Sequence, residues 1–245
     1  MTTVIVTRPN TAIAQTAAVY SNAGFDVFQA ACFAIKTSDS VQAQWLKAPV
    51  DVWVVLSVHA LQHALLIAPD LMPEKETVVI AVGPAVEKAW RQHFNHAITS
   101  HPWMNSEGVI ELLKETKPHA VKILTTGDGR ELIKSHCMHE HISYAQINTY
   151  QRIPLPIDQH ALQALYQNSA DNQIILTATS SGILAQFMGQ LSTDLHAMVL
   201  SQPVVVAANR IAAYAKELGF VDIHVATNPS DEAMCEALKQ SKPDN

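Results

Sequence analysis

The sequence predicts an α/β protein built on parallel sheets, and three observations carry that prediction. Short β-rich runs alternate with helix-like segments over all 245 residues, the alternation expected of α/β folds. Several runs are apolar at every position rather than every second one, as strands covered on both faces are. Helical segments also end on recognisable stop signals. Ile211, Tyr214, Ala215 and Leu218 share one helical face ahead of Gly219, a residue that adopts a left-handed cap at little cost.

Taken in order, the strands expected are Val4–Thr7, Val52–Leu56, Thr77–Val82, Val121–Thr125, Ile174–Ala178, Val204–Ala207 and Ile223–Ala226. A weak internal repeat organises them. DVWVVLSVHALQHAL followed by VVIAVGPAVEKAW resembles NQIILTATSSGILAQF followed by VVVAANRIAAYAKELG, and TVIVTRPNTAIAQTAAVYSNAGFDVFQAACFAI loosely matches VKILTTGDGRELIKSHCMHEHISYAQINTYQRI. The chain reads A–B–A′–B′, two related α/β units. Adjacency alone pairs A with B and A′ with B′. A cleft between two such units is a favoured ligand site.

Composition narrows the function. With 16 basic against 22 acidic residues and a net charge of −6, the chain lacks the electrostatic footprint of a general nucleic-acid binder. An acidic small molecule is still allowed, because amides at helix starts bind carboxylates without net positive charge. The opening MTTVIVTRPN lacks the basic segment of a secretory signal. The longest apolar stretch is interrupted by Ser57, His59, Gln62 and His63, so no membrane span is expected. Cys32, Cys137 and Cys235 are widely separated and read as reduced thiols of a cytoplasmic protein.

Ligands of open parallel sheets bind beyond the carboxyl ends of the strands. That rule selects Thr7-Arg8-Pro9, Ser57, Gly83-Pro84, Gly127–Arg130, Thr179-Ser180-Ser181-Gly182 and Asn209-Arg210. Small and hydroxylated residues there admit a ligand to backbone amides and add donors; they also serve simply as caps and turns. TGDG lacks the third glycine of a dinucleotide fingerprint and the Gly-Lys-Ser/Thr of a phosphate loop, so a nucleotide-dependent enzyme has little support. His59 and His63 stand at a zinc-compatible i, i+4 spacing without the accompanying glutamate. His136, Cys137, His139 and His141 read either as metal ligands or as a partly exposed helix end. Tyr150, in NTYQRIPLP, either buries its ring in a strand or faces a cleft, where its hydroxyl can donate to a leaving oxygen.

As an ordered set covering nearly the whole chain, VIVTRP, LSVHAL, AVGPAVEKA, NSEGVIELL, GDGREL, TYQRIP and VVVAANRIAAYAKELGF…IHVATNPSDEAMCEAL resemble the uroporphyrinogen-III synthase family. The resemblance implies two α/β domains with parallel sheets joined by a short two-stranded linker, with the ligand cleft between them. Residues 1–34 plus 153–245 would form one domain and 37–148 the other, with 35–36 and 149–152 as linker strands. The implied substrate is hydroxymethylbilane, a linear tetrapyrrole with eight carboxylates. Its hydroxyl leaves as water to give an azafulvene. The substituted carbon of ring D attacks, and the resulting spiro-pyrrolenine fragments and recloses with ring D inverted. No cofactor or metal is implied; holding a flexible chain in one geometry is the main task.

By the same resemblance Tyr150 is the catalytic candidate, assisting departure of the hydroxyl. The substrate-binding candidates are Arg8, Ser57, Gly83, Ser106, Gly127, Gly129, Arg130, Thr179, Ser180 and Arg210. The chain departs from the family pattern at Leu56, at Pro84-Ala85-Val86, at Thr125-Thr126 and at Ala208, each time losing a polar or basic group. A monomer is expected, in transient contact with the upstream deaminase. The alternative is a two-lobed protein that binds a tetrapyrrole or other polycarboxylate without turning it over.

Overall fold

The structure, a computed structural model, describes residues 2–127, 131–168 and 173–241. In chain order the first elements are β1 (Thr2–Val6), α1 (Asn10–Asn22), β2 (Asp26–Gln29), β3 (Phe33–Thr37), α2 (Ala43–Lys47), β4 (Val52–Val55), α3 (Val58–Ile67) and β5 (Val78–Ala81). Next come α4 (Pro84–Arg91), β6 (Thr99–Ser100), α5 (Ser106–Thr116), β7 (Ala120–Thr125), α6 (Glu131–His139), β8 (Ser143–Asn148) and β9 (Tyr150–Pro154). The chain closes with α7 (Gln159–Asn168), β10 (Gln173–Ala178), α8 (Ser181–Met188), α9 (Thr193–Leu200), β11 (Val204–Val206), α10 (Asn209–Leu218), β12 (Ile223–Val225) and α11 (Asp231–Gln240).

The elements divide into two compact units. Unit 1 is Met1–Ile35 with Ile153–Asn245, and unit 2 is Lys36–Arg152. The segments in which the chain passes from one to the other, β3 and β9, pair as a two-stranded sheet.

Unit 1 carries a five-stranded parallel sheet in the order β12-β11-β10-β1-β2. Its middle strands are apolar on both faces for the reason read from sequence: Val4, Ile5, Val6, Ile175 and Val204–Val206 are all fully buried. Tyr20 of α1, Leu184 and Phe187 of α8 and Leu238 of α11 complete the core. The edge strand β2 is half-buried at Val27 and Phe28 and exposed at both ends.

Unit 2 carries the order β6-β5-β4-β7-β8, again all parallel. Val52, Val54, Ile80 and Ile123 of the sheet pack with Val109 and Leu113 of α5 and Ile133 and Cys137 of α6. Among the described residues, one Lys, Arg, Asp or Glu side chain of this unit is fully buried. Lys122, 1% exposed, donates from Nζ to the carbonyls of Leu46 and Ala48, the latter at 2.6 Å, and lies 4.5 Å from the ring centroid of Trp53.

The repeat is distributed across the units in a way that adjacency does not anticipate. Read across its sheet, unit 1 is the three strands of B′ followed by the two of A, and unit 2 is the three of B followed by the two of A′. Both units therefore have the same spatial order, reached with opposite chain order of the two segments. The pairing of A with B and of A′ with B′ is corrected accordingly: strand pairing is a long-range property, and β1 takes its register from β10, Val4 opposite Ile175.

Candidate functional site

Each sheet has one place where consecutive strands diverge to opposite sides, and there the loops at the carboxyl ends separate to leave a crevice. In unit 2 that place lies between β4 and β7. A cavity of about 560 Å³ opens on it, lined by Leu56 and Ser57 after β4, Thr125 at the end of β7 with Thr126 and Gly127 beyond it, Asn148 at the end of β8, Tyr150 to Arg152 on β9, and Ser38 and Ser40.

Ser57 is placed by helix chemistry. It is the N-cap of α3 in extended conformation, and its Oγ accepts the backbone N–H of Ala60 at 2.9 Å. That leaves the hydroxyl proton for another partner, and Tyr150 Oη stands 3.3 Å away. Gly127 turns the chain out of β7 at φ +57°, where an added Cβ would meet nothing within 4 Å. Backbone conformation, not space, therefore calls for glycine there.

Tyr150 is held from several sides. Its carbonyl accepts Thr126 Oγ1–H at 2.6 Å. Just before it, Thr149 Oγ1 donates to Ala60 O at 2.8 Å and the Thr149 carbonyl accepts Ser38 N–H at 2.9 Å. The ring itself is 2% exposed and flanked by two imidazoles of α3. His63 stacks on it with centroids 5.5 Å apart and an interplanar angle of 26°, and His59 lies at 5.6 Å and 57°. His63 Nδ1 is 2.8 Å from Thr37 Oγ1, and burial holds the pKa of His63 below the ordinary imidazole range.

The lining is rich in donors: the hydroxyls of Ser38, Ser40, Ser57 and Tyr150, the amides of Asn148 and Gln151, and the guanidinium of Arg152. Carboxylates are the natural guests of such a surface. Among sequence-derived candidates, Ser57, Gly127 and Tyr150 share the cavity. Gly83, N-cap of α4 in extended backbone, and Ser106, buried in the first turn of α5, do not line it. Gly129 and Arg130 lie outside the described residues. Sequence reading passed over Ser38, Ser40, Asn148, Gln151 and Arg152, and over the imidazoles as neighbours of Tyr150. The available signal was the i, i+4 spacing of His59 and His63, which puts both rings on one helical face.

In unit 1 the corresponding divergence lies between β1 and β10, and Arg8, Thr179 and Ser180 follow those strands. Ser180 caps α8, its Oγ accepting Ile183 N–H at 3.2 Å, and Thr179 beside it is half-buried. Arg8 is engaged within the unit: one terminal nitrogen donates to Pro229 O at 3.2 Å and the other stands 3.5 Å from Asp231 Oδ1. Its Nε is buried with no hydrogen-bond partner among the described residues. Arg210 is exposed in the first turn of α10.

The histidine–cysteine run of α6 comes apart in three dimensions. Cys137 is fully buried in the core, where burial pushes its thiol pKa up. His139 is exposed and pairs with Glu140 at 2.9 Å. Among the described residues no group of three or more His, Cys, Asp or Glu is placed to hold a metal, and no helix is long and apolar enough to cross a membrane.

Strand order and crevices together define a protein of two doubly wound α/β units, each opening a hydroxyl-lined loop cluster at the point where its strand order reverses. The family model described as uroporphyrinogen-III synthase HemD matches residues 14–236, and the chain belongs to that family. In structure it is similar to a mutant uroporphyrinogen III synthase from the extremely thermophilic bacterium Thermus thermophilus, with TM-score 0.65, 14% identity and 98% of each chain covered. It is also similar to uroporphyrinogen-III synthetase from Helicobacter pylori, with TM-score 0.63, 16% identity, and 98% of this chain and 99% of that one covered. At such identities these likenesses speak for the fold, and the family model carries the assignment. No curated protein sequence matches the chain.

Proposed function

We propose that the cavity between the carboxyl ends of β4 and β7 is where this chain performs its family's reaction, with Tyr150 as general acid. The family activity is that of uroporphyrinogen-III synthase in haem biosynthesis: hydroxymethylbilane is cyclised to uroporphyrinogen III with loss of water. One observation carries the reading of the site. The hydroxyls of Ser57 and Tyr150 stand 3.3 Å apart inside a donor-lined cavity. Ser57 Oγ already accepts from Ala60, and in this reading it gives its own proton to Tyr150 Oη, so that the phenolic proton donates outward.

The steps follow from that polarity. The C–O bond of the hydroxymethyl group breaks as the oxygen takes the phenolic proton and leaves as water, and the pyrrole nitrogen's electrons close the azafulvene. A cation develops in that step, and the Ser57 O–H steadies the phenolate left behind. Ring D then attacks through its substituted carbon, the spiro intermediate fragments, and reclosure inverts the ring. A proton lost from ring D returns the phenolate to its starting state. Arg152, Ser38 and Ser40 hold carboxylates so that the substituted carbon is the one presented, which is catalysis by orientation.

Gly127, Gly129 and Arg130, with Gly83, Ser106, Arg8, Thr179, Ser180 and Arg210, are proposed as further substrate contacts by their match to the family's ligand-contacting loops. The protein is read as a monomer of the cytoplasm, receiving its unstable substrate from the upstream deaminase; three buried cysteines outside any disulfide suit a reducing compartment. Turnover of Tyr150→Phe tests the assignment. We expect folded protein with a rate about 10²-fold lower, and wild-type turnover would remove Tyr150 from the mechanism.

A further inference from the structure

We propose that His63 is a positioning residue for Tyr150, its imidazole pinned by the Thr37 hydroxyl and laid against the phenol so that the tyrosine hydroxyl stays aimed at Ser57 and the cavity. The inference rests on the reading of Tyr150 as general acid.

The geometry is specific. Thr37 is the last residue of β3, and β3 pairs with β9, the strand that Tyr150 opens. His63 reaches from α3 to both. Its Nδ1 meets Thr37 Oγ1 at 2.8 Å, and its ring lies nearly parallel to that of Tyr150 at 26°. A ring packed only by contact can rotate about its Cβ–Cγ bond. A ring with one nitrogen fixed cannot rotate without breaking a hydrogen bond, so the plane offered to the phenol is set. His59 closes the other approach at 5.6 Å.

The hydrogen-bonded imidazole adds a directional restraint to the packing that buries the ring. The backbone bonds from Thr126 and Thr149 fix where Tyr150 begins, but they leave its side-chain torsions free. The hydroxyl contact with Ser57 is long for an O–H···O bond at 3.3 Å, too weak to hold the ring on its own. Burial also lowers the pKa of His63, so at neutral pH an uncharged plane lies beside the place where the reaction develops a cation.

Five variants test this: His63→Phe, Thr37→Val, the double variant, and each single change in a Tyr150→Phe background. Kinetics are read with hydroxymethylbilane generated in situ, and folding is read by near-UV circular dichroism. His63→Phe keeps an aromatic ring but loses the pin, and Thr37→Val removes the pin without touching the ring. Each is expected to lower kcat about tenfold with KM changed less than about twofold, as a displaced catalytic group does. The double variant should be no worse than either single one, because both remove the same bond. In the Tyr150→Phe background neither change should lower the residual rate further. Wild-type kcat in both single variants overturns the proposal, as does a tenfold loss that persists without the tyrosine hydroxyl. A fully active Tyr150→Phe removes the general acid itself, and the proposal falls with it. Should His63→Phe not fold, Thr37→Val and its Tyr150→Phe partner decide alone.

Discussion

Ser57 Oγ lies 3.3 Å from Tyr150 Oη while accepting the Ala60 backbone N–H at 2.9 Å, so one hydroxyl both caps a helix and meets a phenol. The two roles separate on mutation. Ser57→Ala should cost about 1 kcal/mol of stability through the lost cap and lower kcat about tenfold through the lost partner of the phenol. Ser57→Gly recovers most of the capping loss, since glycine is tolerated at that position, and none of the catalytic loss. Thermal melts and initial rates on both variants check this; recovery of rate in the glycine variant would mean the serine acts only on the fold.

Arg152 is the one lysine or arginine that lines the cavity among the described residues, and its charge should be spent on substrate carboxylates. Arg152→Gln is expected to raise KM by about tenfold, leaving kcat within a few-fold and the melting temperature unchanged. Steady-state kinetics decide it. A fall in kcat with constant KM would place the arginine in the chemical step instead.

Lys122 makes the stability of unit 2 pH-dependent in an unusual sense. Burial pulls its pKa down to about 8, below the value of about 10.4 for a free lysine. The folded state therefore gives up its proton before the unfolded state does, and stability contributed at this site rises as pH climbs from about 8 to about 10.5. Below that window the cost of the buried charge is fully present. Relative to Lys122→Met, wild-type protein should gain about 2–3 kcal/mol across the window. Urea titrations at pH 7.5 and 10 give the difference directly, and a constant gap would show that the two pKa values coincide.

Gly108 stands in the first turns of α5, where alanine would ordinarily favour the helix by about 1 kcal/mol. Here an added Cβ would meet His101 Cβ at 2.7 Å and its ring Nδ1 at 2.9 Å, and neither is the far end of a flexible chain. Gly108→Ala is expected to destabilise the protein by about 1–3 kcal/mol, the ordinary cost of overpacking. Calorimetry gives the sign at once.

Unit 2 is continuous in sequence, with its own sheet and core. Residues 36–152 alone should fold, showing α/β circular dichroism and one cooperative melt. A non-cooperative transition would mean that its core depends on the rest of the chain.

Much of the scaffold was legible because parallel central strands leave a plain mark. Val4–Val6, Val52–Val55 and Val204–Val206 are buried on both faces and read as unbroken apolar runs. The edge strands do not: Asp26–Gln29 and Ser143–Asn148 mix exposed with partly buried positions, and neither stands out as a run. Pairing across the repeat was illegible for a different reason. No local pattern says whether β1 finds β4 or β10, since either partner satisfies its apolar faces. At the site, helix-capping grammar drew attention to Ser57, and Gly127 follows a strand end. Ser38, Ser40 and Arg152 carry no such grammar, because the serines follow β3 and the arginine lies within β9. His59 and His63 carried a spacing signal that fits metal ligands and aromatic neighbours alike, and only the position of Tyr150 against α3 distinguishes them.

The most direct measurement is the isomer ratio of the product. Hydroxymethylbilane is formed in situ from porphobilinogen and a deaminase, this protein is added, and the oxidised uroporphyrins I and III are separated. Predominantly type III is expected, because a cavity that holds the carboxylates and aims the phenol presents the substituted carbon of ring D before spontaneous closure. Type I alone, from protein shown to be folded, would mean that the cavity holds its ligand without directing ring closure.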